Sequence, residues 1–195
     1  MTREHVFAQW LVREVHGARL VASGVPVAAP VRISRVVAPV CSVCNAGWMS
    51  GLEVAFRRIV FARPRVGPVP ASDRVAMSRW FTKTALLLAD VHELSLAGAT
   101  RARIVDGMPE TIEVFFARRR RPPQPLDYAI AKSDAAAVVS VQVGDVVGHV
   151  GPLGVLAGRH GTQLWPLRSH TLRWETLPVI TPLLVAPPSV PHLRR

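Results

Sequence analysis

Cysteine is nearly absent from this chain, and so is lysine. Cys41 and Cys44 are its only thiols, and Lys83 and Lys132 its only lysines, among 195 residues. Two cysteines cannot build the cross-linked framework of a small secreted domain, so reduced thiols and a cytoplasmic location are expected. Long apolar runs are missing too. None approaches the roughly 18 residues that a spanning helix needs. His5 and Arg13 interrupt the early hydrophobic residues, which argues against a secretory h-region. The expectation is a soluble protein with no membrane partner. The sequence also lacks a long repeat and a glycine-rich phosphate loop, which sets aside repeat arrays and P-loop nucleotide chemistry.

What is present is apolar bulk and arginine. Hydrophobic residues make up 49% of the chain, enough for a core at a length that suits one domain, or one domain and a small subdomain. There are 24 basic and 13 acidic residues, a formal charge of +11. That excess attracts polyanions and steers a protein toward nucleic acid at low salt. Alanine, valine, arginine and proline are all abundant, the pattern of a high-GC genome, so the charge has a compositional source as well.

Periodicity divides the chain. Residues 3–15 read as a helix, with Val6, Phe7, Trp10, Leu11 and Val15 on one face. Gly17, Gly24, Pro26 and Pro30 mark a loop. Residues 31–37 alternate as a strand, which Pro39 ends. A turn at Cys41–Cys44 follows. Asn45 suits the N-cap of a helix reaching about Arg63, whose stripe is Trp48, Met49, Leu52, Phe56, Ile59 and Val60. Three prolines within 64–71 form a linker. Ser72 is then expected to cap a helix over about 73–93, with Asp73 complementing its positive end. That helix is apolar over a wide arc and should be central; Gly98 closes the region.

From residue 100 the period shifts toward two. Residues 103–105 and 111–116 read as strands around a turn at Gly107–Pro109. Arg118 to Arg121 read as a solvated basic loop, and 137–150 as strands broken at Gly144 and Gly148. Short edge strands and loops should surround Trp165 and Trp174, with a disordered tail from Pro187. The fold class is α+β. The expected division is a region 1–63, a linker and central helix 64–99, an antiparallel β region 100–186, and the tail 187–195.

One stretch carries most of the chemistry: Cys41-Ser42-Val43-Cys44-Asn45-Ala46-Gly47-Trp48-Met49-Ser50-Gly51-Leu52-Glu53. Two cysteines at this spacing can present both sulfurs to one metal from a tight turn; the plainer alternative is that they are small buried hydrophobes. The stretch resembles the second zinc knuckle of bacterial and phage proteins related to HNH endonucleases, whose fold is a treble clef, or ββα-metal. Residues Thr2 to Leu11, with Glu4-His5-Val6 at their centre, resemble the acidic–His element that carries the first His of the HNH name; in such a fold that His sits near a strand end before the helix, which would make the first few residues of 3–15 extended. Ser78 to Ala85 resemble the helix that follows the knuckle, and Trp165-Pro166 suits the C-terminal part. The likeness touches most of the chain; it is specific over 41–53, less so over 2–11, and weak beyond 100. Relatives of this kind also carry a Cys-x-x-Cys ahead of the acidic–His element. Only Met1 to Arg3 precede Glu4 here, so either the chain begins downstream of the true start or half of the zinc site is lost.

The resemblance implies an HNH-type endonuclease that hydrolyses phosphodiester bonds in nucleic acid, DNA rather than RNA. It makes His5 the general base, since a neutral imidazole accepts a proton at pH 7. Glu4 becomes an oxygen ligand for Mg²⁺ or Mn²⁺, Asn45 orients the loop or joins the metal site, and Cys41 and Cys44 hold structural zinc. The final His has no match; Glu53, eight residues after Asn45, is the candidate to replace it on the divalent cation. Plainer readings stand beside these. Asn45 is explained by capping, Glu53 by an ion pair with Arg57 at i+4, and His5 by an ordinary histidine. His149, His160 and His170 have no ligand spacing, and Trp48 and Trp80 suit the core. Two thiolates alone cannot close a four-ligand zinc site. Even with His5 or His16 added, zinc should bind substoichiometrically and leave residues 1–45 the least stable part. The other function class is therefore a non-catalytic zinc-knuckle module that binds nucleic acid or protein.

Overall fold

The computed structural model describes residues 2–16, 33, 36–62, 64–96, 101–120, 125–132, 137–156, 161–168 and 171–180. The expected loop at 17–30, residues 31, 32, 34 and 35 of the expected strand 31–37, Gly98, Arg121 to Pro123, His160, His170 and the tail from Pro187 lie outside these residues. The fold is α+β. Its N-terminal part begins with strand β1 (Thr2–His5), the extended start that the resemblance implies, and the helix that follows, α1 (Gln9–His16), is shorter than 3–15. The first residues are extended because β1 pairs antiparallel with β2 (Val37–Val40), Glu4 facing Ala38 and His5 facing Val37. Pro39 lies inside β2, opposite Arg3, and does not end it. A two-stranded sheet has edges on which a missing N–H breaks no ladder bond.

The chain leaves β2 into a helical turn at Ser42–Cys44, a wider turn at Asn45–Met49, and helix α2 (Ser50–Val60). Gly47, at φ −91° and ψ −113°, interrupts the helical backbone between them. The helical path thus starts earlier than its apolar stripe. Its cap is Cys41, whose Sγ accepts the Cys44 N–H at 3.0 Å. Asn45 is itself in the α conformation, so capping does not account for it.

Helix α3 (Ala71–Val91) runs for 21 residues and is buried along most of its length. It starts at Ala71 after Pro70, which places Ser72 inside the first turn rather than at the cap. Pro70 stops the chain from entering the helix sooner, and Asp73 in the first turn meets Arg58 of α2 at 3.5 Å. The Trp80 ring stacks on Phe56 of α2 with centroids 3.7 Å apart, and Phe81 stands edge-on to both rings at 5.6 and 5.3 Å. The next element is helix α4 (Arg101–Asp106), where the sequence pattern suggests a strand. A run of three apolar-leaning residues cannot distinguish the two. Arg79 of α3 donates to the carbonyls of Ile104 and Val105, both at 2.9 Å, which satisfies the C-terminal turn of α4.

The C-terminal half is an antiparallel sheet of β3 (Ile112–Arg119), β4 (Leu126–Lys132), β5 (Ala137–Val143), β6 (Val146–Pro152) and β7 (Thr162–Trp165). The order is β4-β5-β6-β3-β7, and β8 (Val179–Ile180) pairs parallel to β3. Strand β4 has no counterpart in the sequence reading, because its half-buried residues give no clean alternation. Gly144 takes φ +60° in the turn from β5 to β6, which suits glycine. Gly148 is not a break. It lies within β6, and a β-carbon there would overlap the Phe81 ring. Arg118 and Arg119 are strand residues rather than a solvated loop: Arg118 bonds Asp145 at 2.7 Å and Arg119 bonds Gln142 at 2.8 Å. The proline-rich segment before α3 is tied down as well. Val69 N–H donates to the Leu172 carbonyl at 2.7 Å, and Trp174 N–H to the Gly67 carbonyl at 3.0 Å. One hydrophobic cluster runs from Val6 to Leu177. Among the described residues no helix is long and apolar enough to cross a membrane.

Two stability tests follow from this packing. Gly148→Ala should cost about 1–3 kcal/mol by forcing Phe81 aside, whereas Gly107→Ala, where the space is open, should stay within about 0.5 kcal/mol; urea unfolding of both variants separates them. The second concerns Asp145. Burial alone would raise its pKa, but hydrogen bonds and charge from Arg118 and Arg65 outweigh burial and hold it below the ordinary aspartate range. A depressed folded pKa means that this carboxylate stabilises the fold fully above its unfolded pKa and loses that effect as pH falls through the folded value. Asp145→Asn should therefore lower stability at neutral pH and flatten the acid limb of a stability–pH curve.

Candidate functional site

The short β1–β2 pair has a consequence beyond its size. It holds residues 4 and 5 beside the end of the strand that leads directly into the cysteine turn. Glu4, His5 and Asn45 consequently line one cleft of about 420 Å³, together with Trp10, Glu53 and Lys83. The sequence reading singles out four of these residues, from three separated positions, and the fold brings all four to one place. His5 is exposed, while Glu4 and Asn45 are half-buried. Among the described residues none of these three side chains has a hydrogen-bond partner, so their polar atoms face the cleft without being committed elsewhere.

Glu53 is different. Its Oε2 accepts the indole N–H of Trp10 at 3.1 Å, and its Oε1 is bonded to the ammonium of Lys83. The pair is enclosed, with side-chain exposures of 4% for Lys83 and 15% for Glu53. The i+4 pairing with Arg57 is not made. Arg57 instead bonds Glu14 of α1 at 2.9 Å and lies over the Trp10 ring at 5.5 Å. Side chains on one helix face compete with partners from other helices, and here the tertiary partners win. Lys83 also sits 5.2 Å over the Trp80 ring. The sequence contains a signal for it: one of only two lysines in an arginine-rich chain, placed in the most apolar helix.

Lys83 is also part of the wall of a second cavity, of about 180 Å³, which is lined by Pro39, Cys41, Cys44, Trp48, Leu87 and Ile104 among others. Trp48 is thus a cavity wall as much as a core residue, with the Arg79 guanidinium 5.8 Å above its ring. Trp80 is fully buried, as a core anchor should be. Cys41 and Cys44 are joined to each other as a disulfide, their Cα atoms 5.3 Å apart. Their positions three apart across one helical turn put both sulfurs on the same side. The expectation of reduced thiols is not what the structure shows.

No family model, curated protein or solved structure matches the chain. The reading of the cleft therefore rests on its own chemistry and on the local likeness of a few residues. Among the described residues no three His, Cys, Asp or Glu side chains close around a point that could hold a metal ion. For structural zinc the fit is poor, since the two sulfurs are bonded to each other and, among the described residues, no third His, Cys, Asp or Glu ligand stands beside them. His16 does not join the cleft; burial lowers its pKa and its Nε2 has no partner among the described residues. For a hard divalent cation the fit is better. Glu4 and the Asn45 amide oxygen are uncommitted, and such ions commonly take one or two protein oxygens and complete their shell with water and substrate phosphate. His149, a histidine without ligand spacing, bonds Ser140 at 2.6 Å within the sheet and does not line the cleft.

The Lys83–Glu53 pair can be tested directly. Removing one partner of an enclosed pair leaves an uncompensated charge and typically costs about 3–5 kcal/mol. Lys83→Met should lose stability on that scale in urea unfolding. Adding Glu53→Gln, which keeps an acceptor for Trp10, should recover most of the loss.

Proposed function

We propose that this protein is an HNH-like, metal-dependent phosphodiesterase acting on nucleic acid, DNA in preference to RNA. The observation that carries the reading is the convergence of Glu4, His5 and Asn45 in one cleft, with their polar atoms uncommitted. His5 accepts a proton from the attacking water, the task of an imidazole that lines a cleft. Glu4 and Asn45 would hold Mg²⁺ or Mn²⁺, which when bound supplies positive charge to the phosphate oxygens. Glu53, the candidate third ligand, is already engaged by Lys83 and Trp10, so its part is to anchor the cleft wall. The net charge of +11 favours phosphate contacts that position a strand without reading its sequence.

A second reading has an observation of its own. With Glu53 ion-paired, Glu4 is the one carboxylate in the cleft with no partner among the described residues, a thin ligand set for catalysis. That favours a non-catalytic module that binds nucleic acid or protein.

Nicking of supercoiled plasmid with Mg²⁺ or Mn²⁺ distinguishes the two. Under the first reading His5→Ala should lower the rate by about 100-fold or more, and Glu4→Gln and Asn45→Ala should do the same, each with an unchanged circular dichroism spectrum. No nicking by folded protein with any of several divalent metals, combined with salt-dependent DNA binding that His5→Ala leaves intact, would sink the first reading and favour the second.

A further inference from the structure

The cysteine pair has a chemistry that the proposed hydrolysis does not use. We propose that Cys41 and Cys44 form a redox-active dithiol–disulfide pair that exchanges with external thiols, with Cys41 the attacked sulfur and Cys44 the leaving one. Four observations carry this. The two sulfurs are joined to each other across a single helical turn, so closing and opening the bond needs no rearrangement of distant segments. The pair is at the surface: Cys41 is exposed and Cys44 half-buried, unlike a structural disulfide shielded in a core. The Cys41 sulfur already accepts the Cys44 N–H at 3.0 Å, a bond that favours charge on that sulfur. Both cysteines line the apolar 180 Å³ cavity, beside Trp48, Leu87 and Ile104. Exchange depends on access, and the cavity offers room for the carbon chain of a small thiol.

The chemistry balances with a dithiol as co-reactant. Its thiolate attacks Cys41 Sγ; the bond to Cys44 breaks, and the electron pair leaves on Cys44 Sγ, which takes up a proton. The second thiolate of the reagent then attacks the mixed disulfide and releases Cys41. The protein gains two electrons and two protons, and the reagent becomes a cyclic disulfide. The inference is independent of the hydrolase reading and survives if no nicking is found.

Two experiments on the folded chain test it. In the first, the wild-type protein is equilibrated with mixtures of reduced and oxidised dithiothreitol, trapped by alkylation and weighed by mass spectrometry. A reversible two-electron transition under native conditions is expected. A pair that opens only in denaturant is a structural cross-link, and that result overturns the proposal. So does one zinc per chain that protects both thiols from alkylation until a chelator is added. In the second, oxidised glutathione is the probe. Cys44→Ser should acquire one glutathione on Cys41 at least about tenfold faster than Cys41→Ser acquires it on Cys44, because access controls the attack. Equal rates would remove the assignment of Cys41 as the attacked sulfur. Since the first experiment uses the unmodified chain, a variant that fails to fold does not protect the idea.

Discussion

The contact on which the rest of the structure depends is the aromatic column through helix α3. Phe56 of α2 stacks on Trp80, Phe81 stands against both, Phe116 of β3 meets Phe81 at 5.8 Å, and Trp174 meets Phe116 at 5.7 Å. These rings join α2, the central helix and the sheet through successive contacts. Large rings dominate core energetics because each buries so much area, and offset or edge-on contacts add to that burial. The column also explains Gly148, the position in β6 where the Phe81 ring needs the room that a side chain would fill.

A helix buried on most sides has no solvated face on which to carry charge, yet α3 contains Asp73, Arg74 and Lys83, all buried. Each is met by a specific partner. Asp73 faces Arg58, Arg74 donates to the carbonyls of Arg168 and Gln163, and Lys83 bonds Glu53. Enclosed charges tolerate few alternative arrangements, since an unpaired one is costly. They therefore fix how α2 and the β7 end of the sheet sit on α3. Lys83 does this at the wall between the cleft and the cysteine cavity, so the same bond that aligns α2 on α3 also sets the shape of the candidate site.

The two halves of the fold were legible to different degrees, for reasons visible in particular residues. The stripe of α2, from Leu52 to Val60, repeats at helical spacing and is buried as that spacing requires. The breadth of the apolar arc on α3 announces a central helix. Strands β3 and β5 are runs of β-branched and aromatic residues. By contrast α4 is too short for its period to speak, and its C-terminal carbonyls are satisfied by Arg79 from another helix. Strand β1 is extended only because β2 lies beside it. Arg118 and Arg119 look like a charged loop until Asp145 and Gln142 are brought opposite.

The candidate site divides in the same way. Glu4, His5, Asn45 and Glu53 could be singled out from residue type and local likeness, because the chemistry of a side chain is written in its identity. Spacing along one helix also limits which residues share a face. What a face meets is decided by other parts of the chain. Only the tertiary structure could show Glu53 bonded to Lys83 and Trp10 instead of Arg57, the helix capped by Cys41 instead of Asn45, and the two sulfurs joined to each other. Periodicity reports direction around one axis, whereas partnership depends on distances between segments far apart in sequence, and those exist only once the aromatic column has packed.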